Sequence, residues 1–189
     1  MIDRKFFFDT VRKSLFSGKL DNGQVEGMSA VLDEWDTGKW QDDLNRLAYM
    51  FATAYHETAY TMQPIEEYGK GKGRPYGKCL CMSRKPYTDT KNLFYGRGLV
   101  QLTWYENYKL AGDRVGVDLI HHPEKACELA IAVEIMFHGM FEGWFTGRKL
   151  SDYFNAKVVD FTKARKIING LDKAELIASY ARKFRSALR

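Results

Sequence analysis

A single, mainly α-helical domain interrupted by one long loop-rich segment is the fold class this sequence predicts. Three observations carry the prediction. The 189 residues suit one domain. Apolar residues recur at three- and four-residue spacings on both sides of the middle. Three of the four prolines and six of the 16 glycines fall between Pro64 and Gly98.

Residues 3–16 and 24–35 give the first two amphipathic helices. The third, about 42–59, has the clearest pattern: Leu44, Leu47, Ala48, Phe51, Tyr55 and Thr58 share one face. Asp42 and Asp43 sit in its first turn, where the helix dipole favours negative charge. Residues 64–98, rich in Gly, Lys, Tyr and Pro, read as loops with a short hairpin. Beyond them, 104–115 and 124–141 are helical, the latter preceded by Pro123. A short helix over 160–168 stops at Asn169-Gly170. The last helix starts on a capping-box-like Asp172 and Glu175, and Leu176, Ile177, Tyr180 and Phe184 form its apolar stripe. The whole chain, 1–189, reads as one domain with an insertion at about 64–98.

Basic residues outnumber acidic ones by 29 to 24, a net charge of +5. The excess is uneven. Residues 69–91 hold seven Lys/Arg and one acid, and residues 163–189 hold eight and two. Two basic segments on a weakly acidic body point to a polyanionic partner. No run of 18 uncharged apolar residues offers a membrane span. The start, MIDRKFFFDTVRKSLF, breaks its apolar residues with charges, unlike a secretory signal, so the protein is expected to be made in the cytoplasm. Three cysteines, Cys79, Cys81 and Cys127, give no disulfide framework.

The first candidate for chemistry is Glu57, in Tyr55-His56-Glu57-Thr58. It lies roughly 110° from the centre of its helix's apolar stripe at 100° per residue, bordering the core. The helix C-terminus disfavours a carboxylate and tends to raise its pKa, which suits a general acid. A solvated surface Glu is the bland alternative. His-Glu-x-x-His zinc chemistry fails because position 60 is Tyr. Glu66 and Glu67 follow in the loop, where carboxylates on different elements can divide acid and base work. Segment 69–78, GKGKGRPYGK, is one residue too short for a phosphate loop and carries Cys79 where a hydroxyl is needed. Cys79-x-Cys81 with Cys127 and His121-His122 fits a tetrahedral zinc site poorly, so no metal or cofactor is expected.

Phe94 to Tyr108 is the most informative stretch: an aromatic and glycine turn, alternation in VQLT, then a helix opening. Strand periodicity puts Gln101 and Thr103 on one face, with Asn107 one helical turn beyond. Neutral hydrogen-bonding groups beside Tyr95 and Trp104 are suited to sugars, with hydroxyls and amides bound by the former and pyranose faces by the rings. Equally, Thr103 is placed to cap the following helix.

HET at 56–58, FYGRGLVQLTWYENY at 94–108 and KIING at 166–170 resemble, in order and spacing, three signature blocks of the family-19 chitinases and related phage endolysins. The resemblance implies a lysozyme-like, two-lobed helical fold. It implies that Glu57 is the general acid, that Glu66 is the general base with Glu67 the fallback, and that Thr103 helps hold the attacking water. Gln101, Asn107 and Asn169 match sugar-binding positions. Hydrolysis is expected to proceed with inversion, by carboxyl groups roughly 6.5–9.5 Å apart. Many relatives have two glycines after HET; Ala59-Tyr60 here predicts a bulkier cleft floor.

The short chain and absent disulfides favour the endolysin branch. The expected activity is cleavage of peptidoglycan strands by a monomer without a separate wall-binding module, reaching the wall through a membrane pore made by another protein. Chitin is the rival substrate. A non-catalytic glycan- or nucleic-acid-binding module is the rival class, disfavoured because carboxylates near the basic loop repel phosphates. Residues 69–91 are expected to border the cleft and hold an anionic glycan. Arg182, Lys183, Arg185 and Arg189 around the last helix's apolar stripe suggest a patch that docks on an anionic envelope surface.

Overall fold

The computed structural model describes residues 1–40 and 43–189. It has six α-helices: α1 Arg4–Ser14, α2 Asn22–Asp36, α3 Leu44–Glu57, α4 Tyr105–Val115, α5 Leu129–Glu142 and α6 Ala174–Ala187. Two antiparallel two-stranded ribbons complete it, β1 Ile65–Glu66 with β2 Arg97–Gly98 and β3 Phe154–Asn155 with β4 Val158–Val159. The mainly helical class and the loop-rich 64–98 segment are as expected. Asp42 lies outside the described residues; Asp43 is the N-cap of α3, accepting from the Asn45 backbone N–H.

Helix α3 is the axis of the molecule. Every residue from Leu47 to Tyr55 is buried, so it is enclosed on all sides and not just along one stripe. Ala48, Ala52 and Ala54 allow neighbouring elements to approach closely. Helix α6 packs along it, with Phe184 stacked on Phe51 at 5.2 Å and Phe7 of α1 meeting Phe51 at 5.0 Å. Each such fully buried ring contributes about 1.5–3 kcal/mol. Ile177 and Phe184 of the expected α6 stripe are thus consumed by the core, whereas Leu176 is exposed, a correction to that stripe. Arg185 donates to Asn45 and to the Leu188 carbonyl, and Arg189 lies over the Phe6 ring and pairs with Asp3. Among the described residues, Arg182 and Lys183 are the members of the expected basic patch that are exposed and form no ion pair.

Four expectations are corrected. The segment 124–141 is not one helix: Glu128, with ψ 128°, is extended and separates a 3₁₀ turn, Pro123–Cys127, from α5. The short helix over 160–168 is a 3₁₀ turn, Lys163–Ile167. No capping box opens α6; Lys173 precedes it in left-handed conformation (φ 57°), and Arg165 takes the Asp172 carbonyl. VQLT is not a strand. Arg97 and Leu102 exchange backbone hydrogen bonds of 3.1 and 2.8 Å, closing a tight loop in which Gln101 has φ 54°.

The turn after α3 links the candidate acid to the β1 glutamates. The Thr58 hydroxyl donates to the Ala54 carbonyl and accepts from the Met62 N–H. Ala59 (φ 49°) and Tyr60 (φ 72°) are left-handed, where glycine sits at no steric cost. Tyr60 is compensated by packing on Tyr55 at 4.6 Å and approaching Tyr180 at 6.2 Å. Its ring therefore lies against α6, and the bulkier cleft floor expected from Ala59-Tyr60 is not formed. The turn docks on α2 through Gln63, which donates to the Gly23 carbonyl at 2.6 Å, and through close approach at Gly27. A Cβ on Gly27 would stand 1.8 Å from the Met62 carbonyl oxygen, a backbone atom. Gly27→Ala is expected to destabilise the protein by about 2–3 kcal/mol or more, measured by urea denaturation; an unchanged midpoint would refute this docking.

Candidate active site

A cleft of about 480 Å³ opens at the C-terminal end of α3. Glu57, the last residue of α3, lies in it. Arg74, Tyr76 and Met82 from the loop-rich segment line it, as do Val100, Gln101, Thr103, Trp104 and Asn107 from the 94–108 block. Phe145, Arg165, Ile168 and Asn169 line it as well. Residues from all three sequence blocks therefore meet in one cavity.

Glu57 is mostly buried, as its position at the stripe's edge predicts. Its partner, Arg165, lies outside the three sequence blocks. Arg165 Nη1 donates to Glu57 Oε1 at 2.6 Å, with the two side chains 5% and 16% exposed. The unfavourable end of the helix dipole is thus met by a guanidinium. Arg165 is fixed in turn by its Nε hydrogen bond to the Asp172 carbonyl.

The adjacent glutamates have different surroundings: Glu66 ends β1, and Glu67 is the first residue beyond it. Glu66 accepts from Tyr95 Oη at 2.7 Å and Arg97 Nε at 2.9 Å, and pairs with Lys70 at 3.1 Å. Burial opposes its charge, but these three donors outweigh burial and hold its pKa at about 2. Neither Glu66 nor Glu67 is among the residues lining the cleft. Glu67 accepts from the Tyr76 hydroxyl at 3.2 Å through Oε1 and from the Gly96 N–H at 3.1 Å through Oε2. Tyr76 lines the cleft and meets Trp104 edge to face at 5.5 Å, so Glu67 adjoins the cleft wall.

Thr103, Asn107, Asn169 and Trp104 all line the cleft. Thr103 does not cap α4; the preceding residue is Trp104, with φ 75° and no side-chain cap. Gln101 reaches the cleft, but its Nε2 donates to the Ile65 and Gly98 carbonyls, so it also ties the 98–101 loop to β1. Tyr95 is a correction. It is 7% exposed, its hydroxyl is committed to Glu66, and the Arg97 guanidinium lies 3.7 Å over its ring, so it offers no face to a sugar. Arg97, also missed, is a buried cation that additionally donates to the Leu93 carbonyl and the Tyr108 hydroxyl. Cys79, Cys81 and Cys127 are free.

A family model described as chitinase class I matches residues 35–159. Among curated relatives, the acidic endochitinase SP2 of Beta vulgaris is 34% identical over 149 residues, covering 77% of this chain and 50% of its own. The basic endochitinase B of Arabidopsis thaliana is 27% identical over 125 residues, covering 59% and 35%. The chain thus spans half or less of the length of these relatives. Among solved structures, chitinase C from Streptomyces griseus HUT6037 superposes with TM-score 0.67 at 22% identity, covering 97% of this chain and 74% of that one. A bacterial family 19 chitinase gives 0.64 at 20% identity, covering 97% and 92%. These last two establish a shared fold.

The Glu66 network yields a stability prediction. Its folded pKa of about 2 lies below the usual 4.5, so its contribution is present above about 4.5 and is lost as pH falls towards 2. Glu66→Gln should lower Tm at pH 7, with the two melting curves converging between pH 4.5 and 2. A constant difference across that range would contradict the assignment.

Proposed function

The chain belongs to the chitinase class I family, glycoside hydrolase family 19, and from that premise we propose that it hydrolyses β-1,4 bonds between amino sugars by general acid/base catalysis with inversion. The observation that carries this reading is the placement of Glu57, mostly buried and paired, in a cleft shared with Thr103, Asn107 and Asn169.

Glu57 protonates the departing glycosidic oxygen. The carboxylate that this transfer leaves is the ion-paired form seen in the structure, stabilised by Arg165. The base is Glu67. A carboxylate held at a pKa of about 2 and committed to three donors, as Glu66 is, takes a proton from water poorly. Glu67 adjoins the cleft through Tyr76 and keeps fewer donors. Water activated there, and held by the Thr103 hydroxyl, attacks the anomeric carbon opposite the leaving group. Trp104, Asn107 and Asn169 contact the sugars, while Gln101 shapes the loop between them.

The substrate is the peptidoglycan strand, as in the endolysin branch. The support is the charge of segment 69–91, which supplies cleft residues and holds seven basic residues against one acid. Peptidoglycan carries carboxylates that chitin lacks. Arg182 and Lys183 of α6 add electrostatic attraction to an anionic envelope, without insertion of the helix. Chitin hydrolysis with the same residues is the second reading, favoured by the endochitinases among its relatives.

Reducing-end release from purified peptidoglycan and from chitin oligomers tests these assignments. Glu57→Gln and Glu67→Gln should each lose about 10²–10⁴-fold in kcat. Glu66→Gln should retain activity within about tenfold where it remains folded. A folded Glu66→Gln as inactive as Glu57→Gln would transfer the base role to Glu66, and cleavage of chitin alone would select the second reading.

A further inference from the structure

Most cations around the cleft already have partners. Arg165 is paired with Glu57, and Arg97 and Lys70 are paired with Glu66. Arg74 and Arg84 differ. Arg74 lines the cleft from the loop-rich wall and is solvent-exposed. Arg84 is held with its guanidinium 5.3 Å over the ring of Trp104, itself a cleft residue. Among the described residues, neither forms an ion pair with a carboxylate.

Their supports are fixed. Gly71 and Gly77 approach so closely that a Cβ on Gly77 would lie 2.1 Å from the Gly71 carbonyl oxygen, which pins the turn carrying Arg74. Backbone bonds from Arg74 to the Gly71 carbonyl and from Gly77 to the Arg74 carbonyl, at 2.9 and 3.1 Å, close the same turn. Arg84 N–H donates to the Cys81 carbonyl at 2.9 Å, and its aromatic platform limits the side chain's freedom. Tyr76, next but one to Arg74, rests on the same Trp104. Two guanidinium groups are therefore presented near Trp104, Arg84 directly on its ring and Arg74 on the turn whose Tyr76 rests against it.

We propose that Arg74 and Arg84 form an anion-recognising rim that binds carboxylates borne by the glycan strand, on its peptide stems or on lactyl groups that carry no stem. This rests on the peptidoglycan reading above. Guanidinium donors form charge-assisted, frequently bidentate bonds with carboxylates. A sugar chain in the cleft projects its substituents outwards, so a rim cation meets the substituent while Asn107 and Asn169 meet the ring. The rim selects substrate and takes no part in proton transfer.

The test uses peptidoglycan in two forms, native and with its carboxylates converted to neutral amides by carbodiimide and ammonium chloride, with chitin oligomers as a third, neutral substrate. Reducing-end release gives kcat and KM for the wild type and for Arg74→Gln/Arg84→Gln; both side chains are exposed, and circular dichroism checks the fold. On native strands the double variant should lose about tenfold in kcat/KM, through KM. The wild type should lose a similar factor on amidated strands, where the variant loses no more, and both should treat chitin oligomers alike. An equal loss by the variant on native, amidated and chitin substrates would overturn the rim. So would a wild type indifferent to amidation. A wild type that cleaves chitin but neither form of peptidoglycan would overturn the substrate reading itself and the rim with it.

Discussion

The ion pair between Glu57 and Arg165 is the constraint on which the site depends. A carboxylate at the C-terminal end of a helix, mostly withdrawn from water, is electrostatically unfavourable without a cation beside it. Arg165 supplies that cation at 2.6 Å. Removing one member of such a pair leaves an uncompensated charge, at a cost of about 3–5 kcal/mol. The guanidinium also holds the Asp172 carbonyl, just before the left-handed Lys173 that turns the chain into α6. One side chain therefore joins the end of α3, the lead-in to α6 and the cleft wall ending at Asn169. Packing of α6 on α3 through Phe184 and Phe51 holds the same two elements together from the core side.

A second buried cation organises the other wall. Arg97 binds Glu66, the Leu93 carbonyl and the Tyr108 hydroxyl, fastening β1, the segment before β2 and α4 to one another. The tight loop from Gly98 to Gln101 is closed by the Arg97 and Leu102 backbones and braced by the Gln101 amide. It presents Val100 and Thr103 to the cleft. Glu66 and Glu67 consequently have separate duties despite being neighbours. One is bonded to Arg97; the other accepts from Tyr76 of the cleft wall.

Much of this was legible in the sequence. The stripe Leu47, Ala48, Phe51 and Tyr55 predicted α3, and the edge position of Glu57 predicted its partial burial. The three blocks predicted which segments converge. The roles of Arg165 and Arg97 were not legible, because an arginine carries no periodic signal and the partners are 108 and 31 residues away. Tyr95 looked like a sugar platform for the same reason: aromatic identity does not reveal whether a ring faces a cleft or a guanidinium. VQLT alternated like a strand, but a positive φ at Gln101 is set by the Arg97–Leu102 bridge and by the amide's reach to Ile65, both non-local. The glutamate choice was similarly undecided by spacing, since Glu66 and Glu67 are adjacent and differ only in the partners that distant segments supply.

An inverting acid/base pair with water between its carboxyl groups makes one statement about the product that no other arrangement of these residues makes. Proton NMR of the anomeric signals, recorded during the first minutes of hydrolysis of a β-linked oligosaccharide that the wild-type protein cleaves, reads it directly. The account predicts that the new reducing end appears first as the α-anomer and then mutarotates. Initial appearance of the β-anomer would contradict it, since retention requires a covalent or substrate-assisted intermediate in place of directly attacking water.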